Sequence, residues 1–199
     1  VLVTIGAAEA NYLAVTTFLE PGDEVVMVLP NYMQIWGVAR NRGCRIKEVH
    51  LDVDNGWALD ADALDEAVTP ETRMIVVVNP NNPTGRIMSD AEMGAVVAAA
   101  ERVGAWVLAD EVYRGAEREK DETPSFVGRY DKVLAQGSMS KAYGLPGLRV
   151  GWTVGPAEAV TAMWRRHEYT TIALSMLSDH LAQTALSPTV RPQILARTR

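Results

Sequence analysis

Short runs of apolar, largely β-branched residues recur along this chain, separated by stretches with helical spacing, and that alternation limits the fold more than any other feature. Val1 to Ile5, Glu24 to Val28, Arg45 to Val49, Met74 to Val78, Trp106 to Ala109, Lys132 to Gln136 and Val150 to Val154 read as strands. Ala8 to Leu19 reads as a helix closed by Pro21 and Gly22. Ser89 to Val103 reads as another, with Ser89 as N-cap, Glu92 completing a capping box and Gly104 as the stop. Ala157 to His167 and Ile172 to Leu186 add two more, and the second is expected to continue past Pro188. Strands that are apolar along their whole length need cover on both faces, so the pattern predicts an α/β domain with helices on either side of a mostly parallel sheet.

At 199 residues, 48% of them hydrophobic and 22% charged, the chain can bury one sizeable core. A formal net charge of -6 without any basic block speaks against nucleic acid as a partner. No apolar run approaches the roughly 20 residues a bilayer demands, so no membrane partner is expected. Cys44 is the single cysteine, which excludes an intrachain disulfide, and no Cys/His cluster has metal-ligand spacing; a reducing cytoplasm fits these features. The chain opens on Val1 within a strand and stops within a helix-like segment, Pro192 to Arg199, so it is expected to be a fragment of a longer parent.

In sheets of this kind ligands bind where strands hand over to loops, and the unusual residues cluster there: Gly6, Asn82, Asp110, Ser138 and Lys141. Gly6, Ala7 and Ala8 lie between a strand and a helix, where free N–H groups and the positive end of the helix dipole form a seat for phosphate; the same residues also suit a plain tight turn. Asn79 to Gly85, with two prolines and a glycine, make a rigid loop that fixes an amide able to donate to a phenolate oxygen, or simply a turn. Asp110 follows an apolar strand and is expected to be part-buried, where a carboxylate needs a cation such as a protonated pyridine nitrogen, unless it caps a following helix. Lys141 has an amine that can form a Schiff base, or it is a surface lysine; Ser138 and Arg149, flanking it, both suit phosphate.

The strings N-P-N-N-P-T-G at Asn79 to Gly85, D-E-V-Y at Asp110 to Tyr113 and S-M-S-K-A-Y-G-L-P-G-L-R-V-G at Ser138 to Gly151 resemble class I and II aminotransferases, the fold type I family of pyridoxal-phosphate enzymes. P-G-D-E-V at Pro21 to Val25 and P-N-Y at Pro30 to Tyr32 extend the likeness over almost the whole chain. The resemblance implies a three-layer αβα sandwich with a mostly parallel mixed sheet. It implies that residues 1–155 are a large cofactor-binding domain and that residues 156–199 lead toward a small domain. It implies pyridoxal 5′-phosphate as cofactor and transfer of an amino group between an amino acid and a 2-oxo acid. Lys141 would then be the Schiff-base lysine and proton carrier, with Asp110 on the pyridine nitrogen and Asn82 and Tyr113 on the 3′-oxygen. Tyr32 would stack on the ring, and Gly6, Ala7, Ala8, Ser138 and Arg149 would form the phosphate cup. It also implies a homodimer, to whose second site Tyr169 and Thr170 could reach. A lyase, decarboxylase or amino-acid cyclase on the same scaffold, or a regulator that binds the cofactor, would share these parts. The residue for the substrate carboxylate is expected to lie outside this chain.

Overall fold

A computed structural model describes residues 1–118 and 121–198; Arg199, the end of the helix-like segment read from sequence, lies outside the described residues. Its strands are β1 (Leu2–Thr4), β2 (Glu24–Leu29), β3 (Arg45–His50), β4 (Thr72–Val78), β5 (Trp106–Asp110), β6 (Val133–Ser138) and β7 (Gly151–Val154). They form one sheet in the order β1-β7-β6-β5-β4-β2-β3. The pairs from β3 across to β6 are parallel, whereas β7 runs antiparallel to both β6 and β1. All seven strands stand where the apolar runs place them, and the sheet is the mostly parallel, mixed one expected.

Helices α1 (Gly6–Phe18), α2 (Gln34–Asn41), α3 (Ala61–Ala67), α4 (Asp90–Val103) and α5 (Ala157–His167) supply the outer layers. One face of the sheet packs Val25, Met27, Val76, Leu108 and Leu134 against Leu13 and Val15 of α1, Ile35 of α2 and Met163 of α5. The other packs Val26, Ile75, Val77 and Val107 against Leu64 of α3 and Met93 and Val96 of α4. Strand side chains alternate between faces, so each apolar strand feeds both cores at once. The sandwich predicted from the sequence therefore has a direct cause in the central strands, which have no polar face, whereas the outermost β3 carries Arg45, Lys47 and His50.

Local signals explain several boundaries. Ser89 and Glu92 close the capping box of α4, and Gly104 ends it in the left-handed conformation at φ 71°. Asp60 caps α3 by accepting from the backbone N–H groups of Asp62 and Ala63. The helix expected from Ile172 past Pro188 is corrected at both ends. It begins at Met176, because Ile172 adopts φ 65°, and α6 (Met176–Leu186) stops at Ser187. Proline forces its predecessor out of helical geometry, and Ser187 has ψ 149°. A new helix, α7 (Arg191–Thr198), starts beyond it. Leu195 of α7 joins Ala182 and Ala185 of α6 in a third apolar cluster, with Met139, Ala142 and Tyr143.

Strand direction decides where function can reside. β1, β4, β5 and β6 all end at one edge of the sheet, and β7 begins there. At that edge α1 comes so close to β7 that a Cβ on Gly151 would lie 2.4 Å from the backbone nitrogen of Ala7. Only glycine permits that approach.

Glu9 ties the first turn of α1 to the chain beyond α5. Its Oε2 accepts from the Ile5 N–H at 2.7 Å and lies 3.4 Å from His167 Nε2. Its Oε1 accepts from the hydroxyls of Thr170 at 2.7 Å and Thr171 at 2.5 Å. Burial acts to raise the carboxyl's pKa, but the Thr171, Ile5 and Thr170 bonds and the His167 charge outweigh it, and the net direction is downward. Because the folded value is depressed, the stabilisation is complete above the unfolded carboxylate value of about 4.3 and fades as pH falls through the lower folded value. Glu9→Gln is expected to cost about 1.5–3 kcal/mol at pH 7. Chemical denaturation should show its gap to the wild type narrowing as pH drops from 5 towards 3, and a gap independent of pH would overturn this role.

Candidate active site

A cavity of about 220 Å³ opens at the shared strand edge, and the residues singled out from sequence converge on it. Ala7, Ala8, Tyr32, Asn82, Asp110, Tyr113, Ser138, Lys141 and Arg149 all line it, as do Asn11, Gln34 and Ser140. Gly6 is buried beneath its rim.

One end of the cavity is positive. Gly6 begins α1 at φ 76°, a conformation glycine adopts without penalty, and the first N–H groups of the helix have no partner within it. The Arg149 guanidinium lies directly over this turn, since a Cβ on Gly6 would sit 2.4 Å from its Nη2. Arg149 takes φ 53° and donates from Nη1 to Ser140 Oγ at 3.1 Å and to the Pro146 carbonyl at 3.0 Å. Among the described residues it pairs with no carboxylate. A cation placed on the positive end of a helix is unfavourable unless an anion joins them, so this turn can accept phosphate or a similar group. Ser138 is buried and its Oγ accepts from the Ser140 N–H at 3.0 Å, which shapes the turn beneath Arg149. Ser140, whose hydroxyl touches Arg149, was not singled out in the sequence, although it stands beside Lys141.

The other end holds a buried acid. Asp110 closes β5 and is only 3% exposed. Its Oδ1 accepts from the Val112 N–H at 3.2 Å, and its Oδ2 accepts from Asn11 Nδ2 at 3.3 Å. Burial pushes its pKa up, against the opposing pull of Val112, Asn11 and the Lys141 charge. The segment after Asp110 is a turn, so Asp110 caps no helix. Strand alternation sends the next residue, Glu111, the other way, where it accepts from Phe126 N–H and Ser125 Oγ, both at 2.8 Å, and anchors the returning loop.

The Asn79–Gly85 loop separates its three asparagines by task. Asn79 Oδ1 accepts from the Met88 N–H, and Asn81 bonds the Pro30 carbonyl and Thr84. Asn82 makes no such internal bond among the described residues and faces the cavity with its amide free. Tyr113 stands close by, its ring centroid 5.7 Å from Lys141 Nζ. The Lys141 ammonium has no ion-pair partner within the described residues. Tyr32 lies at the mouth, half exposed. Neither Arg114, paired with Glu122 at 3.2 Å, nor the exposed Arg165 and Arg166 enters this cavity. The arrangement suits a flat molecule that is anionic at one end, carries a basic ring nitrogen at the other, and offers an electrophile to a lysine.

A model of the class I and II aminotransferase family matches residues 1–194. Capreomycidine synthase of Streptomyces vinaceus is 36% identical over 189 residues, which are 94% of this chain and 48% of that protein. A PLP-dependent aminotransferase from Streptococcus suis 89-1591 superposes with a TM-score of 0.92 at 37% identity, covering 98% of this chain and 51% of that one. Aspartate aminotransferase from Thermus thermophilus, solved with maleate, gives 0.94 at 26% identity over 100% of this chain and 52% of that one. The chain thus spans about half the length of the relatives it matches. By family model, sequence and fold together, it belongs to the class I and II aminotransferases.

Proposed function

We propose that this chain is the cofactor-binding portion of a pyridoxal 5′-phosphate-dependent aminotransferase that moves an amino group between an amino acid and a 2-oxo acid. The observation that carries the reading is the charge gathered about one cavity: an arginine over a helix N-terminus, a buried acid and a lysine, the arginine and the lysine without a carboxylate partner among the described residues. When bound, the cofactor supplies a carbonyl carbon for exchange between amines and a ring that draws electrons from the substrate carbon.

The protein's own groups do the rest. Arg149, the Ser140 hydroxyl and the N–H groups of Gly6, Ala7 and Ala8 bind the phosphate, with Ser138 holding the turn that positions them. Asp110 keeps a proton on the ring nitrogen, and the ion pair so formed answers the cost of its burial. Asn82 and Tyr113 donate to the ring's 3′-oxygen, while Tyr32 covers one face. Lys141 Nζ tethers the cofactor and, once released, carries a proton to and from the substrate carbon. A homodimer fits the exposed Tyr169 and Ile172 before α6 and the exposed Met176 and Leu177 at its start. The division at residue 155, a small domain beyond 199 and a cytoplasmic site of action belong to the same proposal. No helix of the described residues is long and apolar enough to cross a membrane.

Borohydride treatment of the cofactor-loaded full-length protein should fix the label on Lys141, and a label on another lysine would overturn the assignment. An amino acid should convert the bound cofactor to its amine form, with a 2-oxo acid restoring it. Product release without that interconversion would instead identify a lyase, decarboxylase or cyclase.

Gly6→Ala tests the anionic end. Its Cβ would strike Arg149 at 2.4 Å, and φ 76° is strained for alanine, so the guanidinium has to move. Roughly a tenfold to hundredfold rise in the cofactor's dissociation constant is expected, equivalent to one charge-assisted hydrogen bond. Unchanged affinity by equilibrium dialysis would contradict the assignment of this seat.

A further inference from the structure

Asn11 is 1% exposed on α1, and no part of the proposal above assigns it a task. Its surroundings dictate which way its amide points. Gln34, the first residue of α2, bonds the Ala8 carbonyl at 2.8 Å; a carbonyl only accepts, so the Gln34 NH2 faces it. The Gln34 oxygen is thereby turned toward Asn11 and accepts from Nδ2 at 3.3 Å. That same Nδ2 makes the 3.3 Å bond to Asp110 Oδ2. Among the described residues Asn11 Oδ1 is left buried without a partner, as is Gln136 Nε2 on the adjoining strand. An isolated buried acceptor costs about 1–3 kcal/mol, so the arrangement gives up stability to aim two donors, one of them at a carboxylate.

We propose that Asn11 is a positioning residue for Asp110, with Gln34 fixing the direction of its amide, so that the carboxylate stays ionised and oriented toward the place of the ring nitrogen. Val112 N–H holds one carboxylate oxygen and Asn11 the other, and donors on both oxygens fix the carboxylate plane as well as its charge. The titratable neighbours are Lys141, whose charge favours the ionised form, Tyr113 across the cavity, and Glu111, directed to the opposite face. α1, α2 and β6 present Asn11, Gln34 and Gln136 to this place, and none of them titrates. The chain of amides also joins the cavity's two ends, running from Ala8 in the phosphate seat through Gln34 and Asn11 to Asp110.

The orientation toward a ring nitrogen rests on the cofactor reading, whereas the hold on Asp110 does not, so the test has two arms. In the cofactor-free protein, the carboxyl carbon of Asp110 is titrated by NMR in the wild type, Asn11→Leu and Gln34→Leu. Asn11→Leu is close in size and removes the donor, and it should move the midpoint up by about one pH unit. Gln34→Leu releases the amide and should move it in the same direction by less. In the loaded protein, Asn11→Leu should weaken cofactor binding roughly tenfold and move the 15N resonance of a labelled ring nitrogen toward its unprotonated position. Neither change should follow when Asp110→Asn is already present. An Asp110 midpoint that stays put in both variants overturns the proposal whatever the ligand is. So does an equal loss of binding in the Asp110→Asn background, which would mark Asn11 as ordinary packing. A shifted midpoint in a protein that never binds the cofactor sustains the hold on Asp110 and overturns the cofactor reading.

Discussion

Asp110 stands at the carboxyl end of β5 with 3% of its surface exposed, and an anion moved that far from water loses several kcal/mol of hydration unless something replaces it. Two hydrogen bonds replace part of it, and Lys141 contributes a favourable charge at longer range. The remainder is what makes the site selective. A protonated ring nitrogen entering the cavity would satisfy the carboxylate and have its own proton held in return, so the cost of burying the acid would be recovered as affinity for that kind of ligand. Much of the architecture follows from the need to hold such a group: a parallel strand to carry it inward, a helix laid across the face to exclude water, and an amide on that helix to keep it charged.

The opposite end of the cavity obeys the same logic with the sign reversed. Arg149 overlies the N-terminus of α1, two positive groups with no carboxylate between them among the described residues. Its backbone takes a left-handed conformation that side chains other than glycine adopt at a cost, and the short Pro146–Leu148 turn with its accepting carbonyl keeps it there. Charges of opposite demand, fixed about a single cavity, orient a ligand before any reaction begins.

The parts of this domain written as local pattern were legible in the sequence. Most strands were, because an apolar run covered on both faces fits little else, although β3 carries Arg45, Lys47, Glu48 and His50; so was α4, with its capping box and its terminal glycine both intact. The error over α6 came from weighing apolar spacing above Pro188, whose effect on Ser187 is purely steric. For the site, Lys141, Asp110, Asn82 and Arg149 drew attention through strings that resemble the family, and the fold brings all four to one cavity. Asn11 and Gln34 could not be read the same way. Asn11 meets Asp110 across 99 positions of sequence, and the direction of its amide depends on a third element altogether. A trace was present even so: Asn11 is polar while its neighbours on the buried side of α1, Ala10, Leu13 and Ala14, are not. A lone amide on an apolar helix face asks for a partner.

Glu9 presents the one apparent contradiction in the charge scheme, since an acid in the first turn of α1 could neutralise the very pole that an anionic ligand needs. Its geometry removes the conflict. The carboxylate turns back to the Ile5 N–H and outward to His167, Thr170 and Thr171, so its charge is absorbed by groups on the far side of the helix from the cavity. Ala7 and Ala8 line the cavity beside Arg149, whereas Glu9 is not among its lining residues. Because Thr170 and Thr171 belong to the chain beyond α5, the same contact ties the first turn of α1 to the segment that bears the exposed Tyr169 and Ile172. A partner gripping that segment would therefore bear on the first turn of α1 through the contacts of Glu9.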